Sequence, residues 1–135
     1  MKKAIPVFVG ILCSCALITA ILFMTGLICL IDLQIPPGVS SIHVTDTLYT
    51  GETIEIKDID TIQEITTLID KIGPCIGVRS SNNGSHYSIS LLDSDGEEIL
   101  QLTIVSENEI SMGGHFARTD ASSLIAYLNA LFSSK

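Results

Sequence analysis

The chain has 135 residues, 47% of them apolar, and its 15 acidic and 7 basic side chains give a formal net charge of -8. Nucleic-acid binding needs clustered lysine and arginine, so no nucleic-acid partner is expected. The aliphatic content of the body argues against intrinsic disorder. The same figures limit the chain to one hydrophobic segment followed by one small acidic domain.

The hydrophobic segment covers residues 4–31, and none of its 28 residues is charged. As a helix it would reach about 42 Å, whereas the hydrocarbon core of a bilayer is about 30 Å thick. We therefore predict a transmembrane helix within an anchor of residues 1–32. Lys2 and Lys3 precede the segment and Asp32 follows it. The positive-inside rule then predicts a cytoplasmic amino terminus and an extracellular body.

Two alternatives for this segment stay open. A cleaved secretory leader also combines lysines with an apolar stretch, and Ser14-Cys15-Ala16 supplies small residues for a cleavage site. A cut there would leave residues 17–31, still mostly apolar, so the length of the segment favours retention. Leu12-Cys13-Ser14-Cys15 also resembles the lipobox of bacterial lipoproteins, which implies a lipid on Cys15.

The cysteines are divided unequally between the two parts. Cys13, Cys15 and Cys29 lie in the apolar segment, and Cys75 is alone in the body. We therefore expect no disulfide within the domain. The default interpretation of Cys75 is a buried residue that packs as a small apolar side chain.

The body begins after a proline-rich stretch. Consecutive prolines, Pro36 and Pro37, favour an extended chain and predict a stiff spacer over residues 33–40. The extracytoplasmic domain then covers residues 41–135. Alternation of apolar and polar residues predicts two strands over residues 41–45 and 53–57, which form a first hairpin.

A helix is predicted next. Asp60 and Gln63 match a capping box, and Gly73 followed by Pro74 ends the helix. Its apolar residues recur at helical spacing: Ile62, Ile65, Leu68, Ile69 and Ile72.

Four further strands are predicted as an antiparallel meander, over residues 75–80, 86–92, 98–105 and 109–116. Asn83-Gly84 marks the first turn, over residues 81–85, because this dipeptide supplies the positive φ that tight hairpins need. Gly113-Gly114 predicts a bulge or a close approach of another segment in the last strand.

A closing helix follows Thr119 or Asp120, with Leu124, Ile125, Leu128, Leu131 and Phe132 on one face. Two helices with one apolar face each, beside a sheet with one apolar face, predict an α+β fold. The expected architecture is an amino-terminal transmembrane helix followed by a two-layer antiparallel sheet with two helices, in the order β-β-α-β-β-β-β-α. The open face of the sheet should be polar.

The densest carboxylate cluster runs from Asp93 to Glu98 and resembles the start of a calcium loop. The resemblance stops early, because the EF-hand position that needs a glutamate holds Ile104. We interpret the cluster as a solvated hairpin turn. A weak divalent-cation site there is an alternative, and no metal ligand is assigned.

Catalytic candidates are few. The histidines His43, His86 and His115 lie in predicted strands, and no two have metal-ligand spacing. His43 and His86 should face away from the aliphatic layer. Cys75 with His86 or His115 is the one nucleophile and base pairing, and it defines a thiol-dependent hydrolase as the alternative function. No catalytic or cofactor residue is assigned, and we do not expect an enzyme.

Residues 32–135 carry 15 acidic and 5 basic side chains, so repulsion from anionic headgroups predicts protein partners for the body. With its lysine-led anchor, Pro-Pro spacer and strand, hairpin and helix pattern, the chain resembles the small membrane-anchored extracytoplasmic proteins of Gram-positive bacteria. That resemblance implies a location outside the cytoplasmic membrane. We expect a non-enzymatic, membrane-tethered interaction domain, such as a sensor accessory, inhibitor or assembly factor, that offers a sheet face or edge to a protein partner.

Overall fold

The computed structural model describes residues 4–80 and 84–134, with side chains described from Val9 onward. Over these residues the chain forms three helices and eight strands. In chain order they are α1 (Ala4–Met24), β1 (Ile28–Ile31), β2 (Ser41–Asp46), β3 (Thr53–Ile56), α2 (Ile59–Ile72), β4 (Cys75–Arg79), β5 (Tyr87–Leu92), β6 (Glu98–Ser106), β7 (Glu109–Met112), β8 (His115–Arg118) and α3 (Ser122–Ser133).

The eight strands form one sheet in the order β1-β4-β8-β7-β6-β5-β2-β3. Every pair of neighbouring strands is antiparallel. The sheet is open, and β1 and β3 are its two edge strands. The predicted α+β class with an antiparallel sheet is confirmed.

The core lies on one face of this sheet, because the strand register places buried apolar residues opposite one another. Val44 pairs with Ile89, and Ile89 pairs with Leu102. The helices α2 and α3 bury their predicted apolar faces in the same cluster; the buried helical residues are Ile62, Ile65, Ile69, Leu124, Ile125 and Leu128. Non-directional burial of this apolar surface stabilises the domain without a disulfide.

The opposite face of the central strands is polar, as predicted. One row across β2, β5, β6 and β7 reads Thr45, Ser88, Thr103 and Ser111. In the described part of the body, α2 and α3 pack on the core side, so this is the open face of the sheet.

The first correction concerns the apolar segment of residues 4–31, predicted as one helix. The helix ends at Met24, and Ile28–Ile31 form the edge strand β1. Gly26 has a φ of 68°, which lets the chain leave the helix. Ile31 is 3% exposed and Leu33 is 2% exposed, so the sheet and its core begin before the predicted spacer.

The described helices include none that is both long and apolar enough to cross a membrane.

The second correction concerns the strand predicted over residues 109–116. Gly113 and Gly114 form a tight turn, with φ of 57° and 79°, and Met112 pairs with His115 across it. Positive φ at both central residues is the geometry of a two-residue hairpin. Two strands, β7 and β8, therefore replace the predicted bulged strand, and five strands follow α2 instead of four.

Three details of the body also differ from the sequence prediction. Asp58, and not Asp60, caps α2, because its side chain accepts a hydrogen bond of 2.9 Å from the Thr61 amide. The strand predicted from His86 begins at Tyr87. The hairpin predicted around Asn83-Gly84 is wrong, because β4 pairs with β1 and β8 whereas β5 pairs with β2 and β6. The meander is therefore limited to β5 to β8, and residues 81–83 lie outside the described part of the chain.

Candidate functional site

The open face of the sheet is apolar, and not polar, at its β1 end. Ile28 pairs with Val78, and Val78 pairs with Phe116, which places the three side chains in one row. Leu30 pairs with Ile76 in the adjacent row. These five residues, called the apolar corner below, lie on three neighbouring strands.

The apolar corner is accessible in the described structure. Leu30 is 62% exposed, Ile76 is 61% exposed and Val78 is 51% exposed, while Ile28 and Phe116 are half-buried. Next to Phe116 the row continues into Ser111, so the corner ends at β7. Grouped exposed apolar side chains of this kind mark interaction surfaces, whereas single ones need no explanation.

The apolar corner is held directly against the end of α1. Only residues 25–27 separate α1 from β1. The Arg79 amide donates to the Leu27 carbonyl at 2.9 Å, and His115 Nε2 lies 2.8 Å from the Gly26 carbonyl. Strands β4 and β8 therefore fix the connector between α1 and the sheet.

Helix α1 presents apolar side chains in all directions. From Val9 to Met24 it has no charged residue. Its exposed large apolar residues are Val9, Ile11, Leu12, Leu17, Ile18, Ile21, Phe23 and Met24. Ser14 and Thr19 donate their hydroxyl protons to carbonyls one turn back, each at 2.9 Å, so these groups need no water. A helix that is apolar all round requires an apolar environment.

Two arginines border the apolar corner. Arg79 ends β4 and Arg118 ends β8, both exposed, and they line a shallow concavity together with Ile76, Val78 and Phe116. Glu109 also lines it, opposite Arg118 in the register. Within residues 4–80 and 84–134, neither guanidinium forms an ion pair. Arg118 lies on the same face as Phe116, whereas Arg79 alternates to the other face at the end of β4 and reaches the concavity from its rim. The corner thus combines an apolar floor with two bordering cations that are free to bind anions.

Cys75 has a neighbour that the sequence did not indicate. Cys29 pairs with Gly77, and Cys75 pairs with Ile31, so the two cysteines are diagonal neighbours on the inner side of β1 and β4. The expectation that Cys75 is alone in the domain is therefore wrong, although both thiols are free. The signal was hidden because Cys29 lies in a segment that reads as membrane helix.

The environment of Cys75 opposes nucleophilic chemistry. Burial raises the pKa of the Cys75 thiol, and the nearby Cys29 raises it further. The attacking species in thiol catalysis is the thiolate, which a raised pKa makes scarce at neutral pH.

Each of the three histidines contacts different residues. His115 contacts Gly26 as described, and His43 Nε2 lies 3.5 Å from Glu55 Oε1. The ring of His86 stacks on Tyr87, with centroids 4.7 Å apart, and its Nε2 atom is buried with no hydrogen-bond partner among the described residues. His43 faces the open side of the sheet as predicted, whereas His86 is packed between aromatic rings.

The carboxylate cluster from Asp93 to Glu98 forms a turn. The Asp93 side chain accepts hydrogen bonds from the amides of Asp95 and Glu97, each at 2.9 Å. This carboxylate stabilises the backbone of the turn, as the sequence interpretation held. Among the described residues, no group of three histidine, cysteine, aspartate or glutamate side chains could hold a metal ion.

One buried carboxylate was missed by sequence analysis. Asp46 is 4% exposed and accepts four hydrogen bonds, from the amides of Leu48, Tyr49 and Thr50 and from the Thr50 hydroxyl. Burial alone would raise the pKa of Asp46, but these hydrogen bonds outweigh it and the pKa lies below its ordinary value. An aspartate at the start of a polar turn is the signal that could have indicated this role.

Comparisons with protein-family models, curated proteins and solved structures gave no match. A fold class alone does not define a function. The features that indicate a function are therefore the apolar corner, α1 and the fixed connector between them.

Proposed function

We propose that this chain is a membrane-tethered, non-enzymatic interaction domain, such as a sensor accessory, inhibitor or assembly factor. In this proposal α1 crosses the membrane with the help of the apolar residues 4–8, whose side chains lie outside the described part of the chain. The amino terminus is then cytoplasmic and the acidic domain lies outside. The observation that carries it is the joining of an all-round apolar helix to the sheet through a fixed three-residue connector.

The membrane is the environment that suits α1. Burying one Val, Leu, Ile or Phe side chain contributes about 1.5–3 kcal/mol. In water, the exposed apolar side chains of α1 do not gain this free energy of burial. Lys2 and Lys3 before the helix and Asp32 after it support the orientation.

A non-enzymatic role agrees with the state of the candidate groups. The pKa of Cys75 is raised, His115 is hydrogen bonded to the backbone, and His86 is packed between aromatic rings. The Asp93 carboxylate is already used by its own turn. These arrangements support neither the thiol hydrolase nor the divalent-cation module.

The far edge of the sheet suits a protein partner. Strand β3 lies seven strand positions from β1, at about 4.8 Å each, which is about 34 Å across the sheet. If β1 lies next to the membrane, β3 (Thr53–Ile56) is the edge that a partner can reach. An extended peptide would bind there by adding a strand.

Membrane attachment is tested by alkaline extraction of membranes that contain the full chain. We expect the chain to stay in the pellet, and Leu17→Lys to weaken its retention because Leu17 lies on α1. Tyr49→Lys is the matched control, since Tyr49 is 75% exposed but lies in the body. Recovery of the unaltered chain in the soluble fraction would contradict the proposal.

The partner edge is tested by photo-crosslinking in native membranes. A crosslinking residue at Thr53 on β3 should capture a protein, whereas the same residue at Gln101, on a central strand, should not. Equal capture from both positions would argue against strand addition at β3.

A further inference from the structure

We propose that the apolar corner, with Arg79 and Arg118, binds the headgroup region of an anionic bilayer. This inference rests on the proposed function, because it requires α1 to lie in the membrane. It adds a second contact, in which one corner of the sheet rests on the lipid surface and sets the orientation of the domain.

The connector keeps β1 close to the end of α1. Three connecting residues span at most about 11 Å when fully extended. Hydrogen bonds from Arg79 and His115 to the connector shorten and fix this link. If α1 enters the bilayer, β1 and its neighbours β4 and β8 cannot move away from the lipid surface.

The side chains at the apolar corner match the chemistry of a bilayer interface. The interface of a bilayer offers acyl chains below and phosphates above. Leu30, Ile76 and Val78 supply exposed apolar contacts. Arg79 and Arg118 supply planar guanidinium groups, which bind phosphate through two parallel hydrogen bonds.

The basic side chains of the body are unevenly distributed. After residue 32 the described basic side chains are Lys57, Lys71, Arg79 and Arg118, and two of these four border the apolar corner. Lys57 is already paired, at 3.0 Å, with Glu55. Net charge predicts repulsion of the body from anionic lipid, but local positive charge decides the contact within a Debye length of about 8 Å. Glu109, opposite Arg118 in the register, reduces this attraction.

Depth-dependent fluorescence quenching tests the contact. The chain has no tryptophan, so each single substitution gives one signal. The full chain is placed in vesicles of zwitterionic and anionic lipids with brominated acyl chains. Ile76→Trp reports on the apolar corner and Ile18→Trp on α1. Gln101→Trp is the matched control, since Gln101 is exposed on the same face but three strands away, about 14 Å.

The expected result is strong quenching at Ile18→Trp and Ile76→Trp, with severalfold weaker quenching at Gln101→Trp. Leu30→Trp, opposite Ile76 in the register, repeats the measurement if Ile76→Trp folds poorly. Quenching at position 18 with equally weak quenching at 76, 30 and 101 would overturn this inference and leave the proposed function intact. Absence of quenching at position 18 would overturn the proposed function as well.

The arginines are tested separately. Arg79→Gln with Arg118→Gln should reduce the quenching at position 76 in anionic vesicles to the level of zwitterionic vesicles. Lys71→Gln, on α2, is the matched control and should change nothing. Quenching that depends on protein concentration and not on lipid charge would identify a second copy or another protein as the occupant, and would overturn the inference.

Discussion

His115 Nε2 lies 2.8 Å from the carbonyl oxygen of Gly26, a residue 89 positions earlier in the chain. A carbonyl oxygen accepts only, so Nε2 carries the proton and donates it. This hydrogen bond joins β8 to the residues that connect α1 with β1. It makes the end of the amino-terminal helix part of the folded domain and not the start of a flexible tether.

Replacing His115 should loosen this connection. We expect His115→Ala to lower the free energy of unfolding by about 1 kcal/mol, the typical value of one hydrogen bond. His115→Gln should restore part of the loss, because its amide can donate to the same carbonyl. Chemical denaturation of the full chain in detergent measures both. Equal stability of the alanine variant and the unaltered protein would show that the contact is unimportant.

Gly77 tests the position of β1 against β4. A Cβ atom at this residue would lie 2.7 Å from Ile31 Cδ1 and 2.9 Å from His115 Cβ. Overpacking of this kind typically costs about 1–3 kcal/mol, so Gly77→Ala should be destabilising by that amount. Gly84→Ala is the control, since its nearest neighbour would be 3.9 Å away.

A second substitution tests whether contact with Ile31 causes the destabilisation by Gly77→Ala. Ile31→Val removes the Cδ1 atom and should relieve part of the Gly77→Ala defect in a double-mutant cycle. If the two effects simply add, Ile31 does not pack on β4 and the strand assignment of Ile28–Ile31 is wrong.

Asp46 predicts a dependence of stability on pH. Its pKa is lowered from the ordinary value of 3.8, so the folded state binds its proton more weakly than the unfolded state. The stabilisation is therefore complete above about pH 4 and is lost as the pH falls through the folded-state pKa. Asp46→Asn should be less stable at pH 7, by about 1–3 kcal/mol, and the difference should shrink below pH 4.

Thermal unfolding from pH 2 to pH 7 measures this difference. Asp95→Asn is the control, because Asp95 is exposed at the turn between β5 and β6. A gap between Asp46→Asn and the unaltered chain that stays constant with pH would rule out the carboxylate as its cause.

Cys75 should behave as a poorly reactive thiol. Burial, and then Cys29, raise its pKa above the ordinary 9.0, so alkylation at pH 7 should be slower than for a free thiol and should accelerate on unfolding. Cys29→Ser should lower the pKa and speed labelling, because one of the two causes is removed. Mass spectrometry of the labelled peptides separates Cys75 from the other cysteines. Rapid labelling of the folded chain at pH 7 would favour the hydrolase alternative.

Local pattern was sufficient for much of the body. Each strand or helix of the body turns one face to the core. That face appears in the sequence as alternation in β2 and β3 and as helical spacing of Ile62, Ile65 and Ile69, so these elements could be predicted from the sequence. The antiparallel α+β class followed from these elements.

The remaining features depend on distant partners. An unbroken apolar run is compatible with either a helix or a buried strand. Ile28–Ile31 form a strand because they pair with β4. The apolar corner was hidden for the same reason, since Ile76 and Val78 become neighbours of Leu30 and Ile28 only through that pairing. The sequence indicated an irregularity at Gly113-Gly114, but whether this pair forms a bulge or a turn depends on the register of β7 on β8.

The most direct test of membrane tethering is digestion of intact cells by an external protease, with an epitope at the carboxyl terminus of the full chain. If the chain is tethered as proposed, the domain is cut in intact cells and the chain remains with the membrane fraction. A domain that is protected in intact cells and cut only after lysis, or a chain found in the soluble fraction, would contradict this tethering.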